Sequence, residues 1–376
     1  MPISYNKASV VVSLQSIIAN YRRIRTVAQR PMPVIKSDAY GHGLEAVGMA
    51  LEAEGARECA VGTVGEGAKL RKAGFGADIV ALLGALDRED AQLAASSGII
   101  PTVLDIAGLE RLAAQGTTER PVRVALKFDT GMARLGFTEH DVSALCERLR
   151  TLPSVRPVMA VSHLAVADDP TQSAFTMAQG AAFARIMAGL RSNFPDIMGS
   201  LSNSAATLAH PQLHWDVQRP GIALYGSNPL RGTALARHGE GLLPAMSVSV
   251  PVLQVHPLPA GRSISYGRTY TATKDATVAI IAAGYADNYS RALSGRGVAV
   301  AGGRRVPVLG RVCMQTTAID VTDVPGIATG DRVWLLGGPG PATVSADELA
   351  DLWGTISYEV LCLLGMNPRR HDDSVE

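Results

Sequence analysis

Residues 122–164 read VRVALKFDTGMARLGFTEHDVSALCERLRTLPSVRPVMAVSHL, and the order of patterns inside this stretch decides the fold. The opening run, 122–128, is short and apolar and does not alternate strictly, as a strand buried on both faces should read. A Gly-containing loop follows. Val142, Leu145, Cys146 and Leu149 then fall at i, i+3, i+4 and i+7, the spacing of one helix face. A second apolar run, 157–164, completes a strand–helix–strand unit of the kind that builds parallel sheets.

The same unit repeats on either side. Further strand candidates lie at 33–37, 59–64, 78–83, 99–104, 199–203 and 217–225. Phe175, Phe183, Ile186, Met187 and Leu190 mark a longer helix face. An amphipathic helix near the start is capped by Ser13 and has Ile17, Tyr21, Ile24 and Ala28 on one side. About eight strand–helix units in about 225 residues is the arithmetic of a (β/α)8 TIM-type barrel; a doubly wound open sheet is the competing fold. Near residue 241 the pattern changes. SVSVPVLQVHPLPAG, SISYGRTYTA, TVAIIAAGYAD, GVAVAGGRRVPVLGRVCM, TTAIDVTDV and DRVWLLGG are short alternating strands punctuated by Gly and Pro. We read 1–240 as the barrel domain and 241–376 as a C-terminal all-β domain. A last short helix is expected near Ser345, three residues before Glu348 in a capping-box spacing.

The bulk numbers agree with two buried cores. The chain has 376 residues, 47% hydrophobic and 18% charged, a composition of globular rather than disordered chains. Lys+Arg (35) and Asp+Glu (34) nearly cancel and no basic stripe stands out, so nucleic acid is not an expected partner. No apolar run is long enough to span a bilayer, and no secretory signal pattern opens the chain. Cys59, Cys146, Cys313 and Cys362 form no CxxC pair, as expected of reduced cytoplasmic thiols that bind no metal.

Barrel enzymes carry their chemistry at the C-terminal ends of the strands. Lys36 ends the first candidate strand. Lys127 lies in the fifth, with Arg134 in the loop behind it. The sixth ends in His163 and the seventh in Asn203 and Ser204. The eighth begins near Arg219, ahead of Gly221. Basic groups in apolar strands are costly unless paired or used. Lys36 could be a snorkelling surface lysine, but a buried lysine with a lowered pKa is also a good covalent-bond former and general base. The AYGHG behind it adds a hydroxyl and two glycines.

In PVIKSDAYGHG, KFDTGMARLGF, SHLAVAD, SNSAAT, QRPGIALYG, SYGRTYTA, GRVCM and GTISYEV, in this order, the chain resembles the alanine racemase family. That family has an N-terminal barrel and a C-terminal β domain, works as a homodimer and uses pyridoxal 5'-phosphate (PLP). The resemblance implies that Lys36 binds PLP covalently and acts as one catalytic base. Tyr266 would be the second base, on the opposite face of the substrate and supplied by the partner subunit. Tyr40, Tyr358, Asn203, Ser204, Gly221 and Ile222 would cradle the cofactor phosphate. His163 would pack on the pyridine ring and Arg219 would face its nitrogen. Because a guanidinium does not give up its proton, that nitrogen would stay unprotonated, which restrains side reactions such as transamination. Arg134 would meet the phenolic oxygen and the substrate carboxylate, and the Met314 N–H would bind that carboxylate. Lys127 matches a lysine that family members carry N-carboxylated.

The implied activity is the interconversion of L- and D-alanine, in the cytoplasm, supplying D-alanine for peptidoglycan. Two departures stand out. Gln315 follows GRVCM where many members have an acid, and Asn288 replaces the last Gly of GYADG. The competing readings are a racemase of serine, lysine or a broad amino-acid set, a barrel-type decarboxylase, and a non-catalytic PLP carrier. An acid at the position of Arg219 would mark the decarboxylase. The carrier would lack the β domain.

Overall fold

A computed structural model of the chain describes residues 7–372. The chain divides into two compact units. One holds Ile17–Ala39 and Gly43–Leu243; the other holds the described residues through Ser16, Tyr40–His42 and the described residues from Pro244 onward.

The first unit is a parallel sheet wrapped by helices. Glu58–Val61, Asp78–Ala81, Ile100–Val103, Val122–Lys127, Val155–Val161 and Met198–Ser200 are hydrogen-bonded in that order. Two further extended segments close the ring. Pro31 bridges Gln218 and Val34 bridges Ala60, both in parallel. The Met32 N–H donates to Gln218 O at 2.7 Å, that of Ile35 to Ala60 O at 2.8 Å and that of Val217 to Gly199 O at 3.1 Å. These segments stay isolated bridges because Pro31, Pro33 and Pro220 lack the N–H a regular ladder needs. The expected (β/α)8 barrel is therefore present, with its first and last staves broken by proline. Two candidate strands end early. The run 33–37 stops at Lys36, and 217–225 gives way to a 3-10 turn over Ile222–Tyr225.

The helices follow their sequence patterns. Leu14–Arg25 starts where Ser13 Oγ accepts the Ser16 N–H at 3.1 Å. Ser173–Arg191 buries Phe183, Ile186, Met187 and Leu190. Phe175, expected on that face, is 43% exposed. Its ring tip lies 3.0 Å from where a Cβ on Gly131 would stand, so it leans toward the loop after Val122–Lys127 instead of the core.

In the second unit the long strand Met246–Leu258 is the spine. Its first part pairs with Ser9–Ser13 and Arg332–Leu336, and its second part with Ala276–Ile281. From Ala276–Ile281 the sheet continues through Thr317–Asp320, Arg304–Leu309, Val298–Ala301 and Arg332–Leu336 back to the spine. It is a closed six-stranded ring with Ser9–Ser13 and Arg369–Asp372 alongside. The described residues through Ser16, read from sequence as part of the barrel domain, thus group with the β unit. Ser9–Ser13 finds its ladder partners there, Val10 opposite Val248 and Arg369. The expected helix near Ser345 is Ala346–Trp353, with Ser345 Oγ accepting the Glu348 N–H at 3.1 Å. A second helix, Ser357–Leu364, follows Gly354.

At the N-terminal end of the barrel strands, Glu58 is 3% exposed and takes both arms of Arg30, each at 2.7 Å. Removing one partner of a buried ion pair leaves an uncompensated charge. Arg30→Met should therefore lower the unfolding free energy by about 3 kcal/mol in urea titrations, and adding Glu58→Leu should restore most of it. A loss below about 1 kcal/mol for Arg30→Met would mean that Glu58 is not held by this pair.

Candidate functional site

The C-terminal ends of the barrel strands gather an excess of positive charge. Arg219 is 5% exposed. Its Nη1 donates to Ser200 Oγ at 2.6 Å, and its Nη2 donates to Ser162 O and to Leu201 O at 3.4 Å and lies 3.5 Å from His163 Nδ1. Every one of these partners is neutral. Burial brings the guanidinium pKa down to about 10, so it remains charged at neutral pH. His163 is held well below its ordinary value, first by burial and then by Arg219, Lys127, Arg134 and Lys36. Its ring is neutral and able to pack on an aromatic ligand. Lys127 is brought down to about 7 by burial and by Arg219 and Arg134, against the opposing pull of Asp129. A site this rich in cations is built to receive anionic groups.

Asp129 shapes the loop that carries Arg134. Its carboxylate accepts the N–H groups of Gly131 and Arg134, both at 2.8 Å. Burial pushes this carboxyl up, but the N–H groups of Gly131, Ala133, Arg134 and Met132 outweigh it and hold the pKa below the ordinary value. The loop then returns to its own strand, with the Phe137 N–H on Lys127 O at 2.9 Å. Only glycine fits at 136, where φ is 111° and a Cβ would stand 2.6 Å from Lys127 O.

Lys36 stands exposed at the end of the first stave. The backbone behind it is left-handed over four non-glycine residues: Ser37, Asp38, Ala39 and Tyr40 have φ of 53°, 55°, 54° and 54°. L-residues rarely adopt this geometry even singly, and such strain clusters at functional sites. Asn203 caps the helix Ser204–Ala209 through the Ala206 N–H and reaches Leu164 O with Nδ2 at 3.4 Å. Ser204 Oγ receives the Gly221 N–H at 2.8 Å and the Ala223 N–H at 3.4 Å. Gly221 precedes the 3-10 turn that begins at Ile222. A hydroxyl and the N–H groups of a turn start are thus held together, the donor set of an anion cradle.

The remaining expected site residues belong to the β unit. The rings of Tyr40 and Tyr358 pack at 5.9 Å and 47°. Burial, Tyr358 and Cys362 raise the Tyr40 hydroxyl far above its ordinary value, so it stays protonated and able to donate. Tyr266 is 71% exposed, on a loop where Ser265, Gly267 and Arg268 have φ of 67°, 72° and 49°. Ser265 Oγ anchors the loop on Arg311 O at 2.6 Å. Tyr266 lines a cavity of about 450 Å³ with Tyr285, Arg291, Val312 and Cys313. Met314 is exposed beside it, its carbonyl accepting the Ala286 N–H at 2.9 Å. Asn288 has φ 61°, a left-handed position that asparagine tolerates better than other non-glycine residues. That accounts for its standing in for glycine. Gln315 is exposed.

Three polar residues that hold these groups escaped the sequence reading. Gln179, 1% exposed, accepts the Ala165 N–H and donates to His163 O and Thr130 Oγ1, joining two site loops. The available signal was a glutamine halfway between Phe175 and Phe183 at helical spacing. Asp129 acts on N–H groups of its own loop, at Gly131 and Arg134. Glu66 acts on those of Gly62 and Thr63 in its own capping box and on that of Asp38, and only the reach to Asp38 leaves no sign in the sequence spacing. Among the described residues, no group of His, Cys, Asp or Glu could hold a metal ion, and no helix is long and apolar enough to cross a membrane.

Comparison with known proteins places this geometry. The family model for the alanine racemase N-terminal domain matches residues 12–229, and that for the alanine racemase C-terminal domain matches 245–371. The chain is 62% identical over 371 residues to an alanine racemase of Nitratidesulfovibrio vulgaris, covering 99% of this chain and 100% of that one. The biosynthetic alanine racemase of Pseudomonas aeruginosa superposes with a TM-score of 0.86 at 35% identity, over 98% of this chain and 99% of that one. The Bartonella henselae alanine racemase structure with covalently bound pyridoxal phosphate superposes with a TM-score of 0.84 at 29% identity, over 97% and 99%. With both family models matched across the two units and relatives alike over nearly their full length, the chain belongs to the alanine racemase family.

Proposed function

We propose that this chain interconverts L-alanine and D-alanine, with PLP as cofactor and with Lys36 and Tyr266 as its two bases. The observation that carries the reading is Arg219, a buried cation whose partners are all neutral. A carboxylate at this place, the mark of the decarboxylase reading, would protonate a facing pyridine nitrogen; a guanidinium leaves it unprotonated. The other groups fit the same cofactor. The Lys36 amine would hold it covalently, His163 would cover its ring, and Arg134 would take its phenolic oxygen. Ser204, Gly221 and Ile222, beside Asn203, with Tyr40 and Tyr358, would bind its phosphate.

When bound, PLP withdraws electrons from the Cα–H bond of the amino acid. The protein moves the proton. A single base would have to cross the plane of the substrate, so two bases on opposite faces are the economical arrangement. Lys36 removes the proton of the D-isomer and returns one to make it; Tyr266 does the same for the L-isomer. Arg134 and the Met314 N–H would hold the substrate carboxylate. Tyr266 would come from the partner subunit of a homodimer, a role suited to an aromatic base exposed on a strained loop. On the same reading the enzyme works in the cytoplasm and supplies D-alanine for peptidoglycan.

The wild type should equilibrate either alanine enantiomer, followed by chiral chromatography, ahead of serine and lysine. Lys36→Ala and Tyr266→Phe should each be nearly inactive. In an equal refolded mixture about half the dimers are mixed, each with one site carrying both changes and one carrying neither, so about one quarter of wild-type activity should return. No recovery, with mixed dimers shown by native mass spectrometry, removes the shared site.

Lys127, with its pKa near 7, is poised to react with CO2. The lone pair of the neutral amine adds to the carbon and the lost proton goes to water. The anion formed can pair with Arg134. Protonated amine does not react, so the modification should grow as pH rises through about 7. Carbon-13 NMR with labelled bicarbonate should show a carbamate signal at pH 8 that is absent in Lys127→Arg. An unchanged spectrum between the two would count against it.

A further inference from the structure

We infer that Glu66 is a positioning residue for Lys36, holding the left-handed turn that aims this base; the inference rests on the proposed role of Lys36. Ser37, Asp38 and Ala39 pay a conformational cost that neighbouring contacts must offset. Within the segment, Asp38 Oδ1 accepts the Leu44 N–H and Asp38 O the Gly43 N–H, both at 2.8 Å. The Ala39 N–H donates to Ile35 O at 2.9 Å, and one contact comes from another element, Glu66 Oε1, which accepts the Asp38 N–H at 3.2 Å. Glu66 sits in the first turn of Val64–Lys72, the helix that follows the next barrel strand.

The two carboxylate oxygens have separate duties. Oε2 accepts the N–H groups of Gly62 and Thr63, at 2.7 and 3.2 Å, while Thr63 Oγ1 accepts the Glu66 N–H at 3.1 Å. This is a capping box, and it needs only one acceptor oxygen. Oε1 is left for the turn behind Lys36. Gly62 keeps the passage open: a Cβ there would stand 2.9 Å from Glu66 Oε2 and 3.5 Å from Lys36 Cβ. A carboxylate that only capped its own helix would have no reason to reach across to Asp38.

Glu66→Gln separates the duties. Glutamine preserves shape and serves a capping box, but its single acceptor oxygen cannot satisfy both sides. Thr63→Ala, which weakens the cap alone, is the control. Two measurements report different things. Hydrogen exchange of a peptide spanning 37–44 should quicken about tenfold in Glu66→Gln, the size expected for one lost hydrogen bond to a charged group, and not in Thr63→Ala. Alanine deuterated at Cα gives the second. Loosening Lys36 should raise the isotope effect for D-alanine and move that for L-alanine toward one, because only the Lys36 step becomes slower. Exchange in Glu66→Gln that matches Thr63→Ala, or isotope effects that change equally in both directions, would overturn the inference. A wild type that does not racemise alanine would instead refute the proposed function, and the exchange result would still decide whether Glu66 holds the turn.

Discussion

Burying a guanidinium among neutral acceptors sets the electrostatics of the barrel mouth. The donor–acceptor demands of Arg219 are met by Ser200, Ser162 and Leu201, yet its charge is not balanced by them. The consequence spreads outward. His163 is kept neutral and Lys127 falls to about 7, in both cases with Arg219 adding to the effect of burial. Asp129 opposes the trend, but its oxygens are committed to loop N–H groups. A protein that tolerates this imbalance needs a ligand that brings negative charge, and a phosphate, a phenolate and a carboxylate would each supply some. The stave that carries Arg219 is also one whose ladder proline breaks, so the site and the irregular closure of the barrel lie on the same strand.

A second constraint is conformational. The groups given a chemical role at either end sit on backbone that L-residues avoid. Lys36 leads into four left-handed residues, and Tyr266 lies between Ser265 and Gly267 with positive φ. In each case neighbours over-determine the strained loop: Glu66 and Asp38 at Lys36, and Arg311 O at Ser265. Rigid loops of this kind suit proton transfer, because a base misplaced by about 1 Å can lose much of its effect.

The sequence made the strand-end chemistry legible because barrel topology turns a list of strand termini into one mouth. Lys36, His163 and Arg219 could be singled out as basic groups in apolar strands, and the order of motifs supplied their implied roles. What it hid was non-local. Ser9–Ser13 is three successive valines between serines, which on its own does not say which face is buried or which sheet it joins, and its partners are more than 230 positions away. SDAY contains no glycine to announce a left-handed turn. The helix Ser357–Leu364 begins inside the motif GTISYEV and is not legible as a helix there, since eight residues leave little periodicity. Gln179 and Glu66 look like ordinary helix residues until the backbone groups they serve are in place.

A charged Arg219 would keep a facing ring nitrogen unprotonated. Nitrogen-15 NMR of the protein loaded with PLP labelled at the pyridine nitrogen tests this directly. The wild type should give the shift of an unprotonated nitrogen across the neutral range, and Arg219→Glu should move it to the protonated value while racemisation falls and transamination becomes detectable. A protonated nitrogen in the wild type, or a shift that Arg219→Glu leaves in place, would contradict it.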